Sequence, residues 1–209
     1  VQADADVYIA QHSPLAGRDT GKRILGTSDM LNLIEGHKTL FLSGHNHLSK
    51  PYTYGNDVTE HNIASICGTW WDAYHCADGS PRGYKVYTKD SGKLTWYYKA
   101  IGQDRNFQVE IFKPGQTLKH PNSVLANVWD WDSDWKVEWF QDGKSMGVLE
   151  PVFDLSPNYI KDINATFKGK KIPGYKQPRL NWHYFAAAPD KDAKIVKIVV
   201  TGRFGQKWE

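Results

Sequence analysis

The sequence predicts a layered α/β sheet followed by a mostly β, sandwich-like domain. Three observations predict it. The first fifty residues read strand, helix, strand, with loops at the strand ends, which is the grammar of an α/β layer. From about residue 50 the grammar changes to short strands and turns. Nine Trp and eleven Tyr in 209 residues suit a β-rich core, with aromatic platforms for a ligand as the other use of such side chains.

Each element has a local reason. Val7 to Ala10 is a short apolar run before a polar His-Ser-Pro, the pattern of a buried strand opening into a loop. Gly17 to Gly26 is rich in Gly, Lys and Arg and reads as loop. Thr27 or Ser28 can cap a helix over about Asp29 to Glu35, with Met30, Leu31, Leu33 and Ile34 as its apolar face and Gly36 as its stop. Thr39 to Leu42 is a second buried strand that runs into Ser43-Gly44-His45-Asn46-His47. Pro51 to Tyr54, Ile63 to Cys67, Tyr84 to Thr88 and Leu94 to Ala100 are strand candidates, the last two joined by an Asp90-Ser91-Gly92 turn. A boundary falls near Gly102 to Asn106, dividing the chain into 1–103 and 104–209. Beyond it Phe107 to Phe112, Ser123 to Trp131, Trp135 to Phe140, Arg179 to Ala187 and Ile195 to Gly202 read as strands. Asp142-Gly143 is a second hairpin turn, and Ser156-Pro157 starts one short helix reaching Phe167. Strands at this spacing suggest a small sandwich.

Composition narrows the function. Lys and Arg number 26 against 23 Asp and Glu, a net charge of +3 with no basic block, so electrostatic binding to nucleic acid is not indicated. No stretch approaches the roughly 18 apolar residues of a membrane helix. Cys67 and Cys76 are too few for a disulfide scaffold and do not fit a common zinc spacing. They form either one loop disulfide or two free thiols. The chain opens at Val1 without a signal-peptide pattern, as a piece of a longer protein would.

Three of the eight histidines stand apart. His12 follows the first strand, and His45 and His47 follow the second. In a layered sheet the carboxyl ends of neighbouring strands line one crevice, where ligands bind. A bend at Gly44 turns both imidazoles of the second loop toward one cavity. Imidazole is the commonest side-chain ligand for borderline transition metals. The plainer reading makes His12 a turn residue and His45-Asn46-His47 a polar loop. Trp70, Trp71, Tyr74 and His75 follow the next predicted strand and are candidates to wall a substrate cleft. Two adjacent Trp on a strand point to opposite faces, so one of them belongs to the core. Asp130, Asp132 and Asp134 offer a sugar or Ca²⁺ site, or a turn between two strands. His61, His120 and His183 read as surface or satisfied core residues.

Strand-Gln11-His12-Ser13-Pro14, then about thirty residues, then strand-Ser43-Gly44-His45-Asn46-His47 resembles the C-terminal half of the calcineurin-like metallophosphoesterases. Cys67 to Trp71, Asp78 to Tyr84 and Ala126 to Trp135 are similar to a bacterial, Bacteroidetes-type branch of that family, with a C-terminal β-sandwich. The resemblance implies that His12 and His45 ligate one metal and His47 the other. It implies a hydrolase of phosphoester bonds using two divalent ions (Mn, Fe or Zn), a small-molecule or envelope phosphoester substrate, and a periplasmic or cell-envelope location. The family's Asp-x-His, Gly-Asp and Gly-Asn-His motifs are absent from this sequence, and with them the bridging carboxylate and the general-acid His. The chain therefore reads as an incomplete enzyme, inactive alone, that needs the missing N-terminal half and binds one metal weakly at most. The competing reading is a β-rich binding module for carbohydrate, envelope or its own catalytic core, with a vestigial His cluster.

Overall fold

A computed structural model describes residues 5–17 and 25–209. Most of the predicted Gly17 to Gly26 loop, and the first four residues, lie outside them.

The chain begins with strand β1 (Val7–Ala10), helix α1 (Thr27–Leu33) and strands β2 (Thr39–Ser43), β3 (Lys50–Tyr54) and β4 (Val58–Asn62). These strands form one sheet in the order β1-β2-β4-β3, with β1, β2 and β4 parallel and β3 antiparallel. Strand β2 alternates buried and half-buried positions, and Phe41 meets Leu15, Ile34 and Val58 in a core that Met30 and Leu31 of α1 help to close. Helix α1 starts at Gly26, whose φ is 84°, and has no side-chain cap. Thr27, expected as a cap, donates its hydroxyl to the Leu15 carbonyl at 2.7 Å instead, and so ties the helix to the loop after β1.

Strand β4 lies between the two strands the sequence suggests here, Pro51 to Tyr54 and Ile63 to Cys67, on the polar run Val58-Thr59-Glu60-His61-Asn62. Its polarity is satisfied internally. Glu60 is fully buried and accepts from the Leu15 amide at 3.0 Å, the Ser43 hydroxyl at 2.6 Å and the Tyr54 hydroxyl at 2.8 Å. A buried carboxylate is tolerated when donors surround it in this way. His61 points to the opposite face and shares a 2.9 Å hydrogen bond with Tyr87. The predicted strand at Ile63 to Cys67 is instead a loop and turn.

Strands β5 (Gly83–Asp90) and β6 (Lys93–Ala100) form the predicted hairpin. Ser91 and Gly92 both take positive φ, 46° and 81°, as a two-residue turn matched to strand twist requires. There follow β7 (Glu110–Phe112), β8 (Val124–Asn127), β9 (Lys136–Gln141), β10 (Lys144–Val148), β11 (Pro151–Asp154), α2 (Pro157–Phe167), a 3₁₀ turn at Gly174–Lys176, β12 (Asn181–Ala187), β13 (Val196–Thr201) and β14 (Lys207–Trp208). They build two four-stranded sheets, β10-β9-β13-β14 and β11-β12-β8-β7. Ala126, Val128, Phe185 and Ala187 from one sheet share a core with Val137, Trp139, Ile198 and Val200 from the other. The protein is thus mostly β, in several sheets. Helix α2 starts as predicted, with Ser156 accepting from the Tyr159 amide at 3.1 Å and Pro157 at the first turn. Its Tyr159 and Ile163, four apart on one face, pack against Ala73 and Ala77.

Many polar contacts join residues on either side of position 103. Asp78 accepts from the Asn181 side chain, Asn127 donates to the Gly79 carbonyl, and Lys85 pairs with Asp130 at 2.6 Å. The acidic run is neutralised by the chain's own cations, since Arg203 pairs with both Asp132 and Asp134. Cys67 and Cys76 are free thiols. Among the described residues no helix is long and apolar enough to cross a membrane.

Candidate metal centre

The carboxyl ends of β1 and β2 lie side by side because the two strands are parallel neighbours. Each runs directly into a histidine-bearing loop. The Gln11 amide donates to the Leu42 carbonyl at 3.0 Å, and the Gly44 amide to the His12 carbonyl at 3.1 Å, so the two loops leave the sheet together. Asn62, at the end of β4, donates to the Ser43 hydroxyl and the Gly44 carbonyl and fixes the second loop from its other side.

This backbone brings His12 and His45 into contact. His12 Nε2 and His45 Nδ1 are 3.0 Å apart, with ring centroids at 4.9 Å and an 82° interplanar angle. His47 stands apart from the pair. Its Nδ1 lies 2.8 Å from the Gly68 carbonyl, and its ring stacks on Trp70 at 4.3 Å and 20°. The three imidazoles border one groove of about 290 Å³, along with Gly44, Ser65 and Tyr84. Among the described residues no group of three or more His, Cys, Asp or Glu is placed to hold a metal ion.

The bend does not fall on Gly44. His45 and His47 themselves take left-handed φ values, 64° and 52°, while Gly44 does not. Histidine enters that region more readily than most residues, but at a cost of roughly 1–3 kcal/mol each. His45→Gly removes the imidazole and the strain together, whereas His45→Ala removes only the imidazole. His45→Gly should therefore be the more stable by about 1 kcal/mol, read as the difference between urea unfolding midpoints.

The aromatic candidates separate. Trp70 and Trp71 are not on a strand. Both sit in a turn with left-handed φ, 48° and 67°, and both are exposed, at 40% and 72%, so neither is core. Trp70 touches the histidine loops by stacking on His47. Trp71 and Tyr74 border a second cavity, of about 410 Å³, with Arg82 and Asp162. His75 is buried between two carboxylates, with Nδ1 3.2 Å from Asp162 and Nε2 3.3 Å from Glu110. Burial pushes its pKa down, but the two carboxylates outweigh that and raise it to about 9.

One supporting residue escaped sequence reasoning. Asp78 is fully buried and accepts from the Ser49 amide at 2.8 Å, two residues after His47. It also accepts from the Ser80 amide and hydroxyl and from Asn181, and His183 lies 3.5 Å away. Burial raises its pKa, but the hydrogen bonds and His183 win and hold it below the usual carboxylate range. In the sequence Asp78 shows only as the first residue of a common Asp-Gly-Ser turn, at the start of a stretch that carries the family resemblance and assigns it no role. The partners at 181 and 183 are a hundred residues away, and no local pattern reveals them.

A family model described as the C terminal of calcineurin-like phosphoesterase matches residues 60–208. The match includes Trp70, Trp71, Tyr74, His75 and Asp78 and begins after His12, His45 and His47. Comparison with curated proteins and with solved structures gives no match.

Proposed function

We propose, from the premise that the chain belongs to the calcineurin-like phosphoesterase C-terminal family, that it is the C-terminal part of a two-metal phosphoesterase. His12, His45 and His47 supply imidazole donors to the centre, His12 and His45 to one ion and His47 to the other. The two sheets after β6 form its sandwich-like C-terminal domain.

The observation that carries this reading is the 3.0 Å separation of His12 Nε2 and His45 Nδ1. As the chain stands this contact is a hydrogen bond between the two rings, so imidazoles from two different loops already meet at their nitrogens. An ion taken up there would take the place of the shared hydrogen, with His12 and His45 as its donors. His47 fits in a different way. Donating its Nδ1 proton to the Gly68 carbonyl places the ring lone pair on Nε2, the second-shell arrangement usual for a histidine ligand. When bound, a pair of divalent ions supplies charge neutralisation and a hydroxide nucleophile for phosphoryl transfer.

The residues here hold and orient. Gly44 and Asn62 hold the second loop, and the Gly68 carbonyl holds the His47 tautomer. On this reading the carboxylate donors belong to the Asp-x-His, Gly-Asp and Gly-Asn-His motifs of the family, which this sequence lacks.

The test is hydrolysis of a chromogenic phosphodiester by the chain expressed within the complete reading frame of its gene, with Mn²⁺, Fe²⁺ or Zn²⁺ added. We expect activity that falls by at least about 100-fold in His12→Ala and in His45→Ala, more than loss of an outer-shell partner alone. Full activity in both variants, or none in the parent with any of the three metals, would overturn the reading.

A further inference from the structure

We infer that the C-terminal half of the chain positions the His47 imidazole through Trp70. The inference rests on the reading of His47 as a metal donor for its purpose, but not for its geometry.

His47 is held on two sides by one turn. The Gly68 carbonyl meets its Nδ1 at 2.8 Å, and the Trp70 indole covers its face at 4.3 Å and 20°. The backbone of that turn is closely constrained. Gly68 has φ 57°, and a Cβ there would lie 2.4 Å from the Ala73 carbonyl oxygen. Thr69 donates its hydroxyl to the His75 carbonyl at 3.1 Å. Trp70 itself has φ 48°, an unfavourable conformation for a bulky residue unless its surroundings impose it.

Those surroundings come from a hundred residues downstream. The Tyr175 ring meets Trp70 edge to face at 5.1 Å, and Lys176 Nζ lies 5.8 Å from the indole centroid. Lys176 also pairs with Asp72, and Thr166 donates to the Asp72 carbonyl, so the segment just after Trp70 is tied to helix α2 and to the 3₁₀ turn. A ring stacked on an imidazole, with a carbonyl on one of its nitrogens, selects both ring plane and tautomer. Trp70, Tyr175 and Lys176 are thus positioning residues, and the C-terminal half contributes to the histidine groove by fixing the direction in which His47 Nε2 points.

The experiment is long-range proton–nitrogen correlation on the uniformly labelled 209-residue chain, at a pH where His47 is neutral, followed by Zn²⁺ titration. In the wild type we expect His47 as the single Nδ1-protonated tautomer. Trp70→Ala should give a mixture of tautomers and about ten- to a hundred-fold weaker Zn²⁺ binding at His47. Tyr175→Ala should shift both readouts in the same direction by less, and Trp70→Phe, which keeps a flat ring, should restore them. Trp70 and Tyr175 are both well exposed, so these variants should fold. A His47 spectrum identical in wild type and Trp70→Ala would overturn the inference. If Zn²⁺ leaves His47 unmoved while Trp70→Ala still mixes its tautomers, the positioning stands and the ligand role of His47 fails.

Discussion

Asp78→Ala is expected to lower the unfolding free energy by about 3–5 kcal/mol, the usual range when one member of a buried charged network is removed. The carboxylate is 1% exposed and satisfies donors from three places in the chain, the Ser49 amide, Ser80 and Asn181, with the His183 ring 3.5 Å away. Alanine leaves all of them buried without an acceptor, and each orphaned group carries a desolvation cost of about 1–3 kcal/mol. The site is also closed to rearrangement. Beside it, Gly79 has φ 93°, a Cβ there would lie 2.1 Å from the Tyr184 hydroxyl, and that hydroxyl donates to the Asp78 carbonyl. Asp78→Asn keeps the shape but replaces one acceptor oxygen with a donor, so it should lose less than Asp78→Ala while remaining well below the wild type. Chemical denaturation of the three proteins at neutral pH reads the series. Because the native pKa of Asp78 is lowered, its contribution is present above the unfolded carboxylate range near 4 and is lost as pH falls through the native value. A loss under about 1 kcal/mol for Asp78→Ala would mean that the network does not form as described.

The second large effect runs with pH in the opposite direction. His75 is raised to about 9 by Asp162 and Glu110, against an unfolded value near 6.5. Its contribution is fully present below about 6.5 and is lost as pH rises through 9. At about 1.4 kcal/mol per unit, the full change is about 3 kcal/mol. Urea unfolding at pH 6 and at pH 9.5 should show that decline. In His75→Gln the decline between these two values should largely disappear, with the variant already weakened at pH 6. An equal slope in both proteins would place the titrating group elsewhere. The contact matters to the architecture, since His75 is tied through its carbonyl to Thr69 in the turn that carries Trp70, while Asp162 belongs to α2 and Glu110 to β7.

Elements whose signals are local were legible in the sequence. The hairpin turn at Ser91-Gly92, the Ser156-Pro157 helix start and the apolar runs of β1, β2 and β13 are read from a few adjacent residues, and the structure has them. Elements whose logic is tertiary were not. Strand β4 carries a buried Glu60 satisfied by residues 15, 43 and 54, and no periodicity reveals that. Strand β10 is exposed at every position and pairs only with β9, so it has no apolar signature. At the candidate centre the contact between His12 and His45 follows from parallel pairing of their strands, which the strand-end pattern anticipated. The bend was assigned to Gly44 on conformational grounds, but the chain places it on His45 and His47. Ile63 to Cys67 reads as a strand with the two Trp just beyond it, yet that segment is loop and turn, and both Trp are exposed. The stack on His47 and its support by Tyr175 depend on contacts a hundred residues apart.

The most direct test of the central claim, that His12 and His45 are two donors to one ion, is calorimetric titration of the 209-residue chain with Zn²⁺, repeated on His12→Ala and His45→Ala. The account predicts weak, saturable binding to the wild-type chain that falls steeply in both variants, because breaking the chelating pair leaves only single imidazoles, His47 among them. Binding of equal strength and stoichiometry in all three proteins would contradict it and would place the metal elsewhere on the chain.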